Sequence, residues 1–494
     1  MTSSRSSPKR TVKSYFEEIS SFDLFYQLTY MSATSAAGIT QSRIFQLARH
    51  LPCLTAQYFK GIHEVAENLR YNYPDAVRMI GEKVKSDEVK TFLLRLSDAL
   101  RSGEPLVAFL AREAEVQGEH YTNDYARRLE SLKKWNDAYT AITVSAALIV
   151  IINMVSTMIY NLGTGVMLMM VLVSVAASFG VAWVLFRSAP QEQVSVPLAQ
   201  GSPAQRRSRK LFRRLIPAML VTCLVLWIAG LGVGWILIAA GLWLIPIGWH
   251  SRKADNETAE KDKEISSFYR SLGGTATSRG TTLRVALASI KIDSFPALYS
   301  DIRMLNLRLN AFAKPVICWR SFGVETGSKL ADLSTGVFYE AVNLGGDPEK
   351  SGVLTSEFAM KTAMLRAQRR GIGGTFAWLT IAMQVVLAAL MVFLLVVLEQ
   401  FSLRLSAASA ALGDSTQAAG ALGLQDMFAF STPQIQFLSL ITVGMVILLA
   451  VVNSFVIVAT EGAHLIKMTY YLAMMTLLSG ICFLVIPPFV QGII

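Results

Sequence analysis

The chain has 494 residues, of which 52% are hydrophobic and 16% are charged, and its net charge is +11. A soluble globular protein carries about 25% charged residues, so this composition excludes an ordinary soluble protein. The apolar residues are concentrated in long uncharged runs, and a run of 18 or more is typical of a membrane-spanning helix. The sequence therefore predicts an all-α, polytopic membrane protein.

The chain begins with a polar segment that has no apolar stretch of the kind found in a secretory signal peptide. We expect no cleaved signal, and we predict that residues 1–14 are disordered. Residues 15–137 show apolar positions at helical spacing, with breaks at Gly38, Pro52, Pro74 and Gly103. They predict a first cytoplasmic domain built from helices.

Six apolar runs follow, and together they predict seven membrane spans. Spans 1 and 2 fill residues 138–186. The run at 215–249 would be about 53 Å long as one helix, whereas the hydrocarbon core is about 30 Å thick. We therefore predict two short spans, 3 and 4, that turn at the glycines of "GLGVG" (230–234). Spans 5, 6 and 7 are predicted at residues 373–398, 435–459 and 468–494.

Seven spans can be tested against the distribution of charge. This arrangement places every Lys and Arg except Arg404 on one side of the membrane. Cationic residues near span ends mark the cytoplasmic side, so the N-terminus is predicted to be cytoplasmic and the C-terminus extracytoplasmic. Residues 187–214 then form a basic cytoplasmic loop, and residues 399–434 an extracytoplasmic loop. Residues 460–467 form a short cytoplasmic turn, for which a solvated turn carrying Glu461, His464 and Lys467 is the default expectation.

The second large cytoplasmic region, residues 250–372, has helix breaks at the same relative positions as the first. When the chain is shifted by 242 positions, Gly38 falls on Gly280 and Gly103 falls on Gly345. Glycine is favoured where a helix ends and the backbone adopts a positive φ. We therefore interpret these four glycines as structural, and the two regions as an internal repeat.

The corners "SAAGIT" and "TSRGTT", with the second pair "LRSGEPL" and "VNLGGDP", each lead toward membrane spans. In this respect residues 15–160 and 255–395 resemble the type II secretion F domain. The extra spans resemble the archaellum, archaeal-type pilus and Tad pilus branch of that family. The resemblance implies two homologous cytoplasmic helical bundles in a non-catalytic platform protein, which forms a homodimer. It also implies docking of a hexameric secretion-type ATPase, whose motion the platform couples to assembly of pilin- or archaellin-like subunits.

The stretch "RRSRKLFRR" (206–214) contains six cations in nine positions. Its first interpretation is a cytoplasmic anchor that contacts anionic lipid headgroups. Because six cations exceed what membrane topology requires, we also predict that they help to dock the ATPase. No nucleic-acid partner is expected, since no aromatic interleaving or binding module accompanies the cations. The predicted docking residues are Arg206, Arg207, Arg209, Lys210, Arg213 and Arg214, with Lys361, Arg366, Arg369 and Arg370 before span 5, and Lys467 in the turn.

The residue inventory favours a protein without catalytic activity. "GVETGSKL" (323–330) lacks the spacing of a phosphate-binding loop, and the four cysteines are too far apart for a zinc site or a disulfide framework. No cofactor or metal is expected, and "GIGG" (371–374) is interpreted as a flexible joint entering span 5.

The predicted spans contain no Asp, Glu, Lys or Arg. Their polar side chains Asn153, Gln384 and Asn453 are predicted to hydrogen-bond between helices, and contact between one of them and a pilin-like subunit is the other possibility. The alternative function is a transporter or channel with large cytoplasmic regulatory domains. It would predict an ionisable residue or a broken helix at the bilayer centre.

Overall fold

The computed structural model describes residues 20–160, 164–190, 192–197, 201–411 and 432–493. Within these ranges the chain forms sixteen α-helices and no β-strand, with one isolated bridge between Ser195 and Ser328. The all-α prediction is confirmed. The predicted N-terminal segment 1–14 and residues 412–431 of the predicted extracytoplasmic loop lie outside the described residues. The helices are α1 Ser21–Ser35, α2 Gln41–Ala48, α3 Ala56–Asn68, α4 Tyr73–Lys83, α5 Asp87–Ser102, α6 Leu106–Tyr160, α7 Thr164–Ser188, α8 Pro203–Ile228, α9 Val233–Arg279, α10 Leu283–Ser289, α11 Tyr299–Asn310, α12 Pro315–Glu325, α13 Lys329–Asn343, α14 Pro348–Ala411, α15 Thr432–Glu461 and α16 Met468–Ile493.

Seven of the helices in the described ranges are long and apolar enough to cross a membrane. They are α6, α7, α8, α9, α14, α15 and α16. The protein is therefore a multi-pass membrane protein, and the prediction of seven spans is confirmed. α8 ends at Ile228 and α9 begins at Val233, with Gly230 at a φ of 70° between them.

The basic stretch is a helix and not the predicted loop. α8 begins at Pro203, and a capping box fixes its start: the Ser202 hydroxyl accepts the Gln205 backbone N–H at 3.3 Å, and the Gln205 side chain accepts the Ser202 N–H at 3.2 Å. A proline in the first helical turn adds to this signal, because its fixed φ suits a helix and its missing N–H is not needed there. The cations of "RRSRKLFRR" are consequently held at helical spacing.

The flexible joint predicted at residues 371–374 is also wrong. α14 is one continuous helix through this "GIGG" segment and continues past the predicted end of span 5 to Ala411. Gly373 lies against Glu461, where a Cβ would stand 2.8 Å from the Glu461 Cα. Close packing of α14 against the end of α15 accounts for this glycine.

The chain divides into two compact units. Unit 1 comprises Met1–Asp124, Ser266–Lys291 and Leu333–Lys361, and unit 2 comprises the rest of the chain. Each unit thus contains segments from both predicted cytoplasmic regions. The domain bounds given in the sequence analysis remain predictions. Aromatic side chains form the core of unit 1, with Phe25 and Phe358 ring centroids 5.1 Å apart. Aliphatic and methionine side chains of the apolar helices form the main core of unit 2, including Val150, Met391 and Leu449.

The helix starts follow the 242-residue offset of the proposed repeat. α2, α4, α5 and α6 begin 242 positions before α10, α12, α13 and α14, and α3 and α11 differ from this by one residue. The left-handed residues follow the same offset. Among the described residues, they include the pairs Gly38 and Gly280, Gly103 and Gly345, and Arg70 and Phe312, with φ values of 71° and 58°, 75° and 97°, and 55° and 56°. These correspondences support the interpretation of an internal duplication.

Candidate functional site

The first part of the candidate site is the basic face of α8, which we define as its six cations between positions 206 and 214. At 100° per residue these positions occupy one arc of about 160° around the helix. All six side chains are exposed, and none has an ion-pair partner within the described part of the chain. This face therefore concentrates uncompensated positive charge. Its members are Arg206, Arg207, Arg209, Lys210, Arg213 and Arg214.

The opposite face of α8 is attached to the rest of unit 2. Leu211, Leu215 and Met219 pack against a core cluster that contains Leu244 and Ile247. An amphipathic helix with one apolar and one charged face is held in this way by burial of the apolar face.

Gln205 fixes the start of the helix by hydrogen bonds of its side-chain amide. The amide donates to the Gly327 carbonyl at 3.1 Å and lies 3.4 Å from the Thr258 hydroxyl on α9. Gly327 has a φ of 79°, and a Cβ there would stand 2.8 Å from the Gln205 Nε2. Only glycine suits both the backbone conformation and the close approach at this point.

The second part of the site is a buried ion-pair network, hereafter the charged junction. The Arg366 guanidinium lies 3.2 Å from the Asp262 carboxylate and 3.4 Å from the Glu192 carboxylate. The Ser328 hydroxyl also donates to Asp262. All three charged side chains are buried, so each charge relies on its partners in place of water.

The junction continues into the turn between α15 and α16. The Lys467 ammonium lies 2.9 Å from Asp255 and 2.8 Å from Glu461, and both partners are buried with it. Arg370 approaches the other Asp255 oxygen at 3.5 Å, and the Tyr471 hydroxyl donates to Glu461 at 2.6 Å. The expectation of a solvated turn is therefore wrong, because Lys467 is drawn inward between Asp255 of α9 and Glu461 of its own turn.

His464 belongs to the same turn. Its Nδ1 accepts the backbone N–H of Ile466 at 3.2 Å, which requires a neutral imidazole. Burial lowers the pKa of His464, and the negative charge of Asp255 opposes this shift. The imidazole therefore favours its neutral form in the folded protein.

Arg369 binds backbone carbonyls and has no carboxylate in hydrogen-bonding distance among its described contacts. Its guanidinium donates to the carbonyls of Ala459, Thr460 and Pro190 at distances of 2.7 Å, 3.0 Å and 2.7 Å. The last carbonyls of an α-helix have no partner within the helix, so this arginine caps the C-terminal end of α15.

These positions correct part of the predicted docking surface. Arg366, Arg369 and Lys467 are buried and already bound, so a partner protein could reach them only if the junction opened. Lys361 and Arg370 are partly buried. The exposed cations of the basic face are the predicted docking residues that remain available at the surface.

Sequence reasoning missed the acidic half of the junction. Asp255 and Asp262 are seven residues apart, and therefore lie on one face of α9. Arg366 and Arg370 have the matching spacing of four residues on α14. Those two spacings were the available signal, but the sequence does not indicate that the two helices lie side by side.

The predicted intramembrane polar residues all hydrogen-bond between helices. Asn453 on α15 donates to Gln384 on α14 at 2.8 Å and accepts from the Tyr139 hydroxyl on α6 at 2.6 Å. Gln384 donates in turn to the Val446 carbonyl at 3.2 Å. Asn153 lies 3.4 Å from the Met167 carbonyl of α7.

Within the ranges that the structure describes, no group of three or more His, Cys, Asp or Glu side chains is arranged to hold a metal ion. The candidate site thus consists of a cationic surface and a set of buried charges that fix the helices behind it.

The fold and the site define a class: a seven-helix membrane protein with a cationic helix face anchored on a buried ion-pair junction. The chain is similar to the flagella accessory protein J of Methanocaldococcus jannaschii, with 26% identity over 311 residues that cover 60% of this chain and 54% of that protein. It is also similar to the flagella accessory protein J of Methanococcus voltae, with 22% identity over 331 residues that cover 64% and 58%. The chain thus spans somewhat more than half the length of these relatives. No solved structure matches the chain, and no family model matches it either, so the resemblance to the type II secretion F domain remains a prediction.

Proposed function

We propose that this protein is the membrane platform of an archaellum, or of a related type IV filament or secretion machine, and that it catalyses no reaction itself. The similarity to proteins named flagella accessory protein J supports this proposal, together with the seven apolar helices. In this function the platform docks a hexameric cytoplasmic ATPase and couples its motion to the assembly of pilin- or archaellin-like subunits. The platform acts as a homodimer with its N-terminus in the cytoplasm and its C-terminus outside.

The observation that carries the docking step is the basic face of α8. Six exposed cations without ion-pair partners in the described chain create a local positive potential. Such a potential steers a partner with an acidic surface and sets its orientation more than its final affinity. The same cations lie beside a membrane span, so contact with anionic headgroups of about 1 kcal/mol per cation accompanies this role.

The attachment of α8 offers a route for force. Gln205 ties the start of the helix to Thr258 on α9, and Thr258 lies between Asp255 and Asp262 in the charged junction. A load applied to the basic face therefore reaches α9 at the point where α14 and the α15–α16 turn are bound to it. In this proposal the junction passes motor movement to the spans without bending.

The docking step can be tested with a variant of the basic face. Arg206, Arg207 and Arg209 are replaced by Gln, while Lys210, Arg213 and Arg214 are kept as topological anchors. The purified ATPase hexamer is then titrated onto the detergent-solubilised platform at two salt concentrations. We expect the variant to bind more weakly, with a smaller dependence of affinity on salt.

A matched control changes the net charge equally at exposed cations elsewhere, by replacing Lys83, Lys291 and Lys350 with Gln. This control should bind as the unchanged protein does. Equal affinity of the basic-face variant and the unchanged protein would remove the basic face from the docking step. Failure of the unchanged platform to bind the ATPase would remove the ATPase from the proposal.

A further inference from the structure

A groove opens along one side of α9, where this helix leaves its apolar segment. Its volume is about 710 Å³, within the range of about 300–1,000 Å³ that small-ligand sites occupy. Most of its wall comes from α9 between Trp249 and Glu264, and Pro296 and Ala297 complete it. Glu264 accepts the backbone N–H of Ala297 at 2.9 Å, so this second wall lies at the end farthest from the apolar segment. All of these residues belong to unit 2.

The charges along the groove are sorted by sign. Trp249 lies nearest the apolar segment, and Arg252 and Lys253 follow one helical turn later. Glu257 and Glu260 follow one and two turns beyond these cations. At 1.5 Å per residue, the distance along the helix axis from Lys253 to Glu257 is about 6 Å. A ligand in the groove therefore meets positive charge beside the membrane span and negative charge farther from it.

The cationic end of the groove suits a phosphate group. The Arg252 guanidinium lies over the Tyr470 ring, 4.6 Å from the ring centroid, and donates to the Tyr470 hydroxyl. A guanidinium has five N–H donors, so this contact orients Arg252 and leaves donors for a ligand. Lys253 is exposed and has no ion-pair partner in the described part of the chain. Both side chains bind phosphate oxygens well, and tryptophan is enriched at the membrane–water interface where lipid phosphates lie.

The apolar segment of α9 leads directly into this groove. Leu242, Ile245 and Trp249 are 57%, 40% and 61% exposed. At 100° per residue they fall within an arc of about 60°, on the side of the helix that carries the groove. An exposed apolar face of a membrane span contacts lipid acyl chains. A lipid whose chains lie along this face therefore has its headgroup at the groove.

We propose that the groove binds the headgroup of a membrane phospholipid that carries a phosphate followed by a primary ammonium, as in phosphatidylethanolamine. The phosphate contacts Arg252 and Lys253, and the carboxylates of Glu257 and Glu260 accept hydrogen bonds from the ammonium. A choline headgroup fits less well, because its quaternary ammonium donates no hydrogen bond and favours aromatic faces. The tryptophan of the groove lies at the opposite, phosphate end. This inference does not rest on the proposed function.

The site would hold α9 at a fixed depth in the membrane. Asp255 and Asp262 of the charged junction lie about 140° around the helix from the centre of the groove, at 100° per residue. The lipid and the junction therefore occupy different sides of α9. A bound headgroup leaves the ion pairs of the junction intact.

The test uses the full-length protein, purified in detergent and depleted of lipid. Phospholipids with identical acyl chains and ethanolamine, choline or glycerol headgroups are titrated in mixed micelles, and bound lipid is measured at equilibrium. We expect the ethanolamine lipid to bind about tenfold more tightly than the choline lipid, because charge-assisted hydrogen bonds add to the shared phosphate contact. Soluble phosphoethanolamine should bind much more weakly than the ethanolamine lipid, since it lacks the acyl chains.

Two variants separate the two ends of the groove. Glu257→Gln with Glu260→Gln should weaken binding of the ethanolamine lipid by about tenfold. It should leave the affinities for the choline and glycerol lipids unchanged, so the preference disappears. Lys253→Gln should weaken binding of the ethanolamine and choline lipids alike, because both share the phosphate. The matched control is Glu88→Gln with Glu349→Gln, at exposed carboxylates outside the groove, and it should keep the preference.

Thermal unfolding should show that all these variants fold, since the substituted side chains are at least partly exposed. Equal binding of the ethanolamine and choline lipids by the unchanged protein would overturn the proposal, as would a preference that survives the double glutamate substitution in the groove. Equal affinity for soluble phosphoethanolamine would assign the groove to a soluble ligand and overturn it as well. Binding of none of the lipids would leave the groove to a protein segment, with the same consequence. None of these outcomes bears on docking of the ATPase, so the proposed function would stand.

Discussion

The guanidinium of Arg366 lies 3.2 Å from the carboxylate of Asp262, and only 6% and 5% of these side chains are exposed. The two residues are 104 positions apart, on α14 and α9. The contact joins two of the apolar helices at a level where both carry charged residues. Because this ion pair is buried, breaking it costs more free energy than breaking a surface ion pair of the same chain.

Removal of Arg366 should be strongly destabilising. Arg366→Ala leaves Asp262 and Glu192 buried without their cation, and breaking a buried pair in this way costs about 3–5 kcal/mol. The matched control is Arg101→Ala, which breaks a pair with Asp75 at 2.8 Å in which both side chains are about half exposed. That loss should be below about 1 kcal/mol. Denaturant unfolding of the detergent-solubilised protein measures both, and similar losses would contradict the buried junction.

Two adjacent glycines of α14 should respond in opposite ways to alanine. A Cβ on Gly373 would stand 2.8 Å from the Glu461 Cα, whereas a Cβ on Gly374 would meet no atom within 4 Å. Within a helix, alanine is favoured over glycine by about 0.8–1 kcal/mol. Gly374→Ala should therefore raise the thermal unfolding temperature, and Gly373→Ala should lower it by forcing α14 away from the α15–α16 turn. Both variants gain the same helix propensity, so each serves as the control for the other. A rise in the unfolding temperature of both would show that α14 does not approach Glu461 closely at Gly373.

The stability of the α15–α16 turn should depend on the charge of His464. Burial lowers the pKa of His464 in the folded protein below its usual value, so the unfolded chain binds its proton more readily. Neutral His464 therefore contributes to the free energy of unfolding above the usual histidine pKa of about 6.5. This contribution is lost as the pH falls through the lower pKa of the folded protein. Unfolding free energy measured from pH 7.5 down to pH 5 should decline for this reason.

The control for this titration is His464→Asn. Asparagine has a side-chain oxygen that can accept the same backbone N–H at a helix start but carries no titratable group. The variant should keep the turn and lose the part of the pH dependence that comes from His464. A pH profile identical to that of the unchanged protein would show that His464 contributes nothing to the decline.

Membrane orientation can be tested by cysteine labelling. In a background without the four native cysteines, single cysteines at Lys60, Lys314 and Arg404 probe the first repeat, the second repeat and the end of α14, all at exposed positions. A membrane-impermeant maleimide should label only the Arg404 position in intact cells and all three after permeabilisation. Labelling of the Lys314 position in intact cells would place the second repeat outside and would contradict the predicted orientation.

The large-scale plan of the helices was readable from local sequence. The division of the 215–249 run at its glycines follows from the limited thickness of a bilayer, and α8 and α9 indeed end and begin around Gly230. The helical state of "RRSRKLFRR" was missed although its signals are local. Ser202 and Gln205 form a capping-box pattern, Pro203 suits the first turn, and the cations recur at helical spacing.

The sequence by itself determined that this is an all-helical membrane protein with seven apolar helices and where its helix-ending glycines fall, because helix length, apolar runs and backbone conformation depend on neighbouring residues. Only the tertiary structure decided which cations are available. Arg206 and Arg366 look alike in sequence, yet the first is exposed and the second is buried against Asp262. The difference depends on which distant carboxylate the fold brings within a few ångströms, since electrostatic energy depends on separation and burial and not on position along the chain.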